Sequence, residues 1–178
     1  MKHDIKSILF TSEQINNAVN ALGERLSNDY NGKKPLLLCV LKGSSVFHSD
    51  LIRAMDIPLE IDFIVAKSYG TGTRSSGKLE ILKEPDADLA GRDVIIVEDI
   101  LDTAVTLSAL TENLSLRNPA SLKTAAFIDK DLGTSKPLKA DYKCFDAPNE
   151  FLVGYGLDYA EKYRNLPYVG ILKREIYE

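Results

Sequence analysis

The sequence contains few cysteines, no excess of positive charge and no long hydrophobic run. Its two cysteines, Cys39 and Cys144, each lie within an apolar run, and neither has a second cysteine or a histidine at metal-ligand spacing. Free cysteines are usually buried, and disulfides are rare in the cytosol. The pattern therefore predicts two reduced core thiols and excludes a disulfide framework or a zinc site.

The charge and the hydropathy exclude two further classes of protein. The 178 residues carry a formal net charge of −4, whereas domains that bind nucleic acid usually carry a clustered basic patch. No apolar run approaches the ~20 residues that span a membrane, and the N-terminal MKHDIKSILF carries charges where a signal peptide needs an apolar core. We expect a soluble, cytoplasmic protein that binds small molecules and has no nucleic-acid or membrane partner.

Length and periodicity indicate a single α/β domain over residues 1–178. A chain of this size buries roughly 70% of the surface that its unfolded form exposes. Helical patterns begin near residues 12, 44 and 103, and they alternate with apolar runs typical of strands at residues 36–41, 59–66, 94–97 and 122–128. Strands that alternate with helices predict a mainly parallel central sheet flanked by helices.

Residues 93–107, DVIIVEDILDTAVTL, are the most informative stretch. The apolar run predicts a strand covered on both faces, followed by a turn that carries Glu98, Asp99 and Asp102. In open α/β sheets, ligands bind outside the carboxyl ends of the strands. Thr103 and Thr106 then offer hydroxyls and backbone N–H groups at a helix N-terminus, which suits a phosphate. A ribose phosphate would satisfy both halves of the stretch, and a solvated acidic loop is the alternative.

Residues 67–78 have a different composition. They include three glycines, three serines, two threonines and three cations, but a single large apolar side chain. Such a segment cannot pack a core, so the composition predicts a mobile surface loop or hairpin end. Its glycine spacing does not match the dinucleotide-binding fingerprint.

Several motifs resemble those of the hypoxanthine(-guanine) phosphoribosyltransferases, which are type I phosphoribosyltransferases. EDILDTAVT is similar to the signature for 5-phosphoribosyl-1-pyrophosphate, and LKG, SYG, the DK pair and FLVGYGLDYAEKYRNLPYVG are similar to the other marks of the family. They occur in the family's order and rough spacing across residues 36–171. The resemblance implies the type I fold, with a small hood, a mobile lid loop at about residues 67–78, and a base site to which residues 147–178 contribute.

The resemblance also implies an activity and an assembly. The expected reaction transfers the 5-phosphoribosyl group of phosphoribosyl pyrophosphate to N9 of hypoxanthine, and also of guanine, in purine salvage. The expected cofactor is Mg²⁺, and the expected assembly is a homodimer or homotetramer. In this family a non-proline cis peptide is often found at the position of LKG.

The family's pattern assigns a role to each matching residue. Asp102 would be the general base near purine N7. Lys130 would donate to the purine O6, Phe151 would stack on the base, and Leu152 and Asp158 would complete the purine site. The expected Mg²⁺ ligands are Glu98, Asp99 and Asp158. The residues expected to bind phosphoribosyl pyrophosphate are Lys42, Gly43, Ser68, Tyr69, Glu98, Asp99, Thr103, Ala104, Val105, Thr106 and Arg164.

Ala104 departs from the family, whose phosphate loop usually has glycine there. If φ is positive at this position, alanine costs on the order of 1 kcal/mol. The substitution predicts a usable but looser phosphate site.

Two other functions stay open from the sequence. One is a phosphoribosyltransferase that prefers guanine or xanthine, because the sequence does not fix the groups around the C2 edge of the base. The other is a non-catalytic regulator that senses phosphoribosyl pyrophosphate and binds nucleic acid. The acidic charge and the complete set of base-site residues argue against the regulator, while the altered phosphate loop favours it.

Overall fold

Strands alternate with helices along the chain, as the hydrophobic pattern predicts. The computed structural model of the protein describes residues 1–69 and 78–178, apart from the side chains of Ser68, Tyr69 and Lys78. The strands are β1 (Ile5–Phe10), β2 (Leu36–Leu41), β3 (Glu60–Tyr69), β4 (Lys78–Lys83), β5 (Asp93–Leu101), β6 (Ser121–Lys130), β7 (Tyr142–Ala147), β8 (Leu152–Val153) and β9 (Val169–Leu172). The α-helices are α1 (Ser12–Asp29), α2 (Ser45–Ala54) and α3 (Val105–Ser115).

Within the described residues, six strands form a central sheet in the order β4-β3-β2-β5-β6-β7. Each neighbouring pair is parallel, except that β4 runs antiparallel to β3 at one edge. Successive side chains of a strand point to opposite faces of the sheet, so each face has its own hydrophobic core. Leu37, Ile95 and Phe127 pack with α1 and α2, whereas Leu38 and Ile96 pack with α3. The predicted mainly parallel sheet with helices on its faces is confirmed.

The start of α1 shows how local sequence sets one of these elements. The Thr11 side chain accepts a hydrogen bond from the Gln14 backbone, and the Gln14 side chain accepts one from the Thr11 backbone. This reciprocal capping box satisfies two N–H groups that a helix start otherwise leaves unpaired. Ile15, Val19 and Leu26 then follow at helical spacing and are buried.

β2 and β5 are neighbours at the centre of the sheet, and the chain leaves them toward opposite faces, which creates a crevice between them. After β2, the chain forms α2 on one face of the sheet and then β3, which pairs with one edge of β2. β5 pairs with the other edge of β2, and the chain after it forms α3 on the opposite face of the sheet. The loops after β2 and β5 therefore diverge at adjacent carboxyl ends, which is where open α/β sheets bind ligands.

A second sheet of three antiparallel strands, in the order β1-β9-β8, forms the small hood in the described chain. β9 pairs with β1 and β8, so residues near the two termini meet. Val153, Tyr163 and Leu172 are the core of this hood. No helix among the described residues is long and apolar enough to cross a membrane.

Some predicted boundaries are wrong. β5 continues to Leu101 because its last residues still pair with β6. Glu98 and Asp99 therefore lie in the strand, and Asp102 lies in the turn after it. The helix that follows begins at Val105, not at residue 103, because Ala104 has a φ of 62°.

The predicted loop at residues 67–78 is shorter than expected. Lys67 to Tyr69 belong to β3 and Lys78 belongs to β4, because the two strands stay paired up to Tyr69 and Lys78. The rest of the predicted lid, residues 70–77, lies outside the described part of the chain.

Candidate active site

Two adjoining cavities open at the carboxyl ends of β2 and β5. The first cavity has a volume of about 330 Å³, and its wall includes the loop after β2, the end of β5 and the turn after it. The second cavity has a volume of about 250 Å³ and lies between the end of β5, the end of β6 and the segment around β8. Asp99, Ile100, Asp102 and Asp158 line both cavities. A ligand that fills both would therefore pass beside these carboxylates.

Glu98 and Asp99 place two adjacent acidic groups in the wall of the first cavity. Glu98 Oε1 accepts from the Asp99 backbone N–H at 3.2 Å, and Asp99 Oδ1 accepts from the Ile100 N–H at 2.7 Å. Burial raises the pKa of Glu98 well above its usual range, and the Asp99 charge adds to the rise. Burial also raises the pKa of Asp99. The backbone hydrogen bonds and the Arg164 charge offset only part of this rise, and a ligand with hydroxyl donors or a cation would offset more of it.

Gly43 gives the Asp99 carboxylate the space that it occupies. A Cβ on residue 43 would lie 1.6 Å from Asp99 Oδ2, which is far inside any contact distance. The loop after β2 begins with a cis peptide between Leu41 and Lys42, as the family resemblance implies. Lys42 and Gly43 thus line the first cavity together with the acidic pair, and Gly43 lies directly beside Asp99.

The turn after β5 forms part of the wall of the first cavity. Thr103, Ala104 and Thr106 line it, while Val105 begins α3 and does not line it. Ala104 has a φ of 62°, in the left-handed region that favours glycine. The first N–H groups of a helix have no intrahelical partner, and together with two threonine hydroxyls they make a cradle suited to an anion.

Arg164 reaches the first cavity from the segment after β8. Its Nη1 donates to the Gly156 carbonyl at 2.8 Å, and its Nη2 pairs with Asp158 Oδ1 at 2.9 Å. Asp158 Oδ2 accepts from the Glu161 N–H at 2.9 Å. Glu161 also lies 3.3 Å from Lys42 Nζ. Two cations are therefore held at the mouth of an acidic cavity, where they could neutralise a departing anion.

The second cavity combines a buried cation with an apolar wall. Lys130 Nζ lies 3.2 Å from Asp102 Oδ2, and the Lys130 side chain is 10% exposed while that of Asp102 is 50% exposed. Phe151 and Leu152 also line this cavity. A flat, partly polar ligand would contact the Phe151 ring on one side and the Lys130 ammonium at its edge.

A sequence model of the phosphoribosyl transferase domain matches residues 7–160 of the chain. The chain belongs to the phosphoribosyl transferase family. The hypoxanthine-guanine phosphoribosyltransferase of Streptococcus thermophilus is 52% identical over 177 residues, which cover 99% of this chain and 98% of that protein.

Solved structures of phosphoribosyltransferases have the same fold. The crystal structure of a hypoxanthine phosphoribosyltransferase from Staphylococcus aureus matches with a TM-score of 0.97 at 44% identity, over 100% of this chain and 97% of that one. A Trypanosoma cruzi hypoxanthine phosphoribosyl transferase, solved in work on the role of its C-terminal region in oligomeric state and enzymatic activity, matches with a TM-score of 0.91 at 41% identity. That match covers 97% of this chain and 94% of the T. cruzi chain. The type I phosphoribosyltransferase fold predicted from the motifs is confirmed.

The structure brings most of the predicted site residues together. The first cavity is lined by Lys42, Gly43, Glu98, Asp99, Asp102, Thr103, Ala104, Thr106, Asp158 and Arg164. The second is lined by Asp99, Asp102, Lys130, Phe151, Leu152 and Asp158. Ser68 and Tyr69 lie at the end of β3, and their side chains are outside the described part of the structure. The individual roles of these residues stay predictions.

Several residues contribute to the site without having been predicted, among them Ile100, which lines both cavities, and the supporting residues Gly156 and Tyr177. Gly156 has a φ of +99°, and a Cβ there would lie 2.1 Å from the Gly43 carbonyl oxygen, so glycine allows the two loops to meet. Tyr177 stacks on Phe151 with ring centroids 4.6 Å apart. Tyr177 does not line the second cavity, so it supports the Phe151 ring from behind. The sequence signal for Gly156 is its place in the GYG tripeptide, whereas a single tyrosine near the C-terminus gives no signal.

Proposed function

We propose that this protein transfers the 5-phosphoribosyl group from phosphoribosyl pyrophosphate to N9 of hypoxanthine and of guanine. The products are IMP or GMP and pyrophosphate, in purine salvage. One observation carries the proposal: Asp102 lies where a cavity suited to a ribose phosphate meets a cavity suited to a planar base. A proton acceptor at that boundary is adjacent to both reactants.

In the first cavity, the residues bind the phosphoribosyl donor. Glu98 and Asp99 accept hydrogen bonds from the ribose 2- and 3-hydroxyls, which offsets their buried charge. The 5-phosphate lies in the cradle of Thr103, Ala104, Val105 and Thr106, with Val105 contributing its backbone N–H. Lys42, Gly43 and Arg164 face the pyrophosphate, and Ser68 and Tyr69, at the end of β3, are the other residues assigned to the donor.

In the second cavity, the residues select a 6-oxopurine. The Lys130 ammonium has three donors. One of them points to Asp102, and the others are available for the purine O6. Adenine has an amino group at that position. Because this group is itself a donor, it cannot accept a hydrogen bond from Lys130. Phe151 stacks on the base, the Leu152 backbone contacts its Watson–Crick edge, and Asp158 completes the site.

The reaction forms the N9–C1 bond and breaks the bond from C1 to the pyrophosphate oxygen. Asp102 takes the proton that the purine loses at N7, so the base attacks with its electron pair while pyrophosphate leaves with its own. The transition state has oxocarbenium character, and the cations Lys42 and Arg164 stabilise the charge that develops on the leaving group. Water must be kept from C1 during this step.

The site also fits Mg²⁺. Among residues 1–69 and 78–178, no three His, Cys, Asp or Glu side chains converge into a metal-binding group. Mg²⁺, however, is commonly held by one or two carboxylates together with substrate phosphates. Glu98, Asp99 and Asp158 are oxygen ligands on the wall of the first cavity, and burial raises the pKa of the first two. When bound, Mg²⁺ would neutralise pyrophosphate charge.

The test is nucleotide formation with hypoxanthine, guanine, xanthine and adenine in turn, with and without Mg²⁺. We expect turnover of hypoxanthine and guanine that depends on Mg²⁺, and none of adenine. Preference for xanthine would support the alternative base specificity. Absence of turnover with all four bases would contradict the enzymatic proposal and favour a regulator.

We also propose that the protein works as a homodimer or homotetramer in the cytoplasm. The assembly is supported by the T. cruzi relative, whose C-terminal region was studied for its role in oligomeric state. The location is supported by Cys39 and Cys144, which are both free thiols, because reduced cysteines are the rule in the cytosol. Light scattering coupled to size-exclusion chromatography tests the assembly, and a mass of 19.7 kDa would contradict it.

A further inference from the structure

Lys136 is a lysine with a largely buried side chain that the proposed reaction does not use. It lies between β6 and β7, in the irregular segment of residues 131–141. Its Nζ donates to the Leu101 carbonyl at 2.6 Å and pairs with Asp129 Oδ1 at 2.6 Å. The Lys136 side chain is 10% exposed and that of Asp129 is 19% exposed. Such a sheltered ammonium has a fixed position, unlike the exposed lysines of the surface.

The contact with the Leu101 carbonyl acts on the peptide bond that precedes Asp102, the proposed general base. Leu101 is the last residue of β5, and its carbonyl belongs to the same planar peptide group as the Asp102 N–H. Fixing that carbonyl therefore fixes the orientation of the chain as it enters the turn. The Asp102 side chain is half-exposed, so packing alone does not set its direction.

The ends of β5 and β6 are thus joined twice. Lys130 pairs directly with Asp102 at 3.2 Å. Its neighbour Asp129, which faces the opposite side of the strand, reaches the Leu101 carbonyl through Lys136. The Lys130 contact holds the Asp102 carboxylate, and the Lys136 contact holds the backbone that precedes Asp102.

We propose that Lys136 is a positioning residue for Asp102, acting through the Leu101–Asp102 peptide. This inference rests on the proposed function. Lys136 touches neither cavity, so it does not bind substrate. It sets where the proton acceptor lies relative to the purine, and its loss displaces the acceptor while leaving the phosphoribosyl pyrophosphate site in place.

The test compares Lys136→Met, which removes the ammonium and keeps most of the stem, with the wild type. A misplacement of about 1 Å can cost about 10²-fold in rate, so we expect kcat to fall by at least about 10-fold. The KM for phosphoribosyl pyrophosphate should change by less than about twofold, because that site is not disturbed. Lys136→Arg should recover most of the activity, since a guanidinium can donate to a carbonyl and a carboxylate together.

The matched control is Lys143→Met. Lys143 lies 3.7 Å from the same Asp129 carboxylate, but it has no contact with the Leu101 carbonyl, so its kcat should stay near the wild-type value. A double-mutant cycle gives the sharper test. In an Asp102→Asn background, Lys136→Met should cause no further loss, because both changes act on one group.

The remaining outcomes distinguish this inference from its alternatives. An additive loss in the double mutant, or an equal loss in Lys143→Met, would show that Lys136 only stabilises the segment. If Lys136→Met does not fold, Asp129→Asn takes its place, with the same expected loss of kcat and the same dependence on Asp102. A wild type that forms no nucleotide removes the proposed function, whereas turnover with unchanged kcat in these variants removes this inference alone.

Discussion

Replacing Ala104 by glycine tests whether the phosphate loop is strained. Ala104 has a φ of 62° and is 5% exposed. A non-glycine residue in the left-handed region costs about 1–2 kcal/mol, and Ala104→Gly removes that cost. Two losses oppose the gain: about 0.8 kcal/mol for the buried methyl group and about 0.4–1 kcal/mol for the greater freedom of glycine in the unfolded chain. We expect the free energy of unfolding to stay within about 1 kcal/mol of the wild-type value.

Ala125→Gly is the matched control. Ala125 is fully buried in β6, so glycine there loses the methyl group and gains unfolded-state freedom without relieving any strain. The free energy of unfolding should fall by about 1–2 kcal/mol, which lowers Tm by about 3–6 °C in a chain of this length. The difference between the two variants, about 1–2 kcal/mol, measures the strain at Ala104.

The measurements are urea unfolding of both variants and the KM for phosphoribosyl pyrophosphate of Ala104→Gly. Equal losses of stability in the two variants would refute the strain argument. The KM should fall, because a backbone without Cβ can approach the 5-phosphate more closely. An unchanged KM would refute the prediction that alanine loosens the phosphate site, even if the strain is real.

Three further substitutions have defined outcomes. Asp102→Asn should lower kcat by about 10²–10⁴-fold with little effect on the affinity for phosphoribosyl pyrophosphate, and equal falls in both would indicate a ligand-binding role. Tyr177→Ala should raise the KM for hypoxanthine by about two- to tenfold through the lost stack behind Phe151, with Leu116→Ala, an exposed residue outside the site, as the unaffected control. Glu98→Gln should raise Tm at pH 7, because the raised pKa of Glu98 means that its charged form destabilises the fold above the unfolded pKa. This advantage should disappear as the pH falls towards about 4, and a constant difference across pH would contradict it.

The central sheet could be predicted because its signals are local. Each core strand is a short apolar run, and the capping box of Thr11 and Gln14 marks the first helix without reference to the rest of the chain. The acidic stretch was recognisable for the same reason, since Glu98, Asp99 and Asp102 are close in sequence. Its exact secondary structure was not, because the length of β5 depends on pairing with β6.

The contacts that could not be predicted join distant parts of the chain. β1 pairs with β9 across more than 150 residues, and no local pattern encodes such a pairing. Lys136 reads in the sequence as one more surface lysine, and its proximity to Leu101 appears only when the segment after β6 folds back. Position in the family motifs identified Arg164 and Lys42, but not their shared neighbour Glu161.

Several unfavourable features of the described residues lie in the first cavity. Glu98 and Asp99 have pKa values raised by burial, Ala104 has a positive φ, and Gly43 leaves no space for a side chain beside Asp99. Ala104 also packs in the core on the α3 side of the sheet, whereas Glu98, Asp99 and Gly43 belong to neither half of the apolar core. Adjacent buried carboxylates persist at functional sites because a ligand can offset their charge. Binding of phosphoribosyl pyrophosphate should therefore stabilise this crevice, and Glu98→Gln, which stabilises it without ligand, should weaken the reaction.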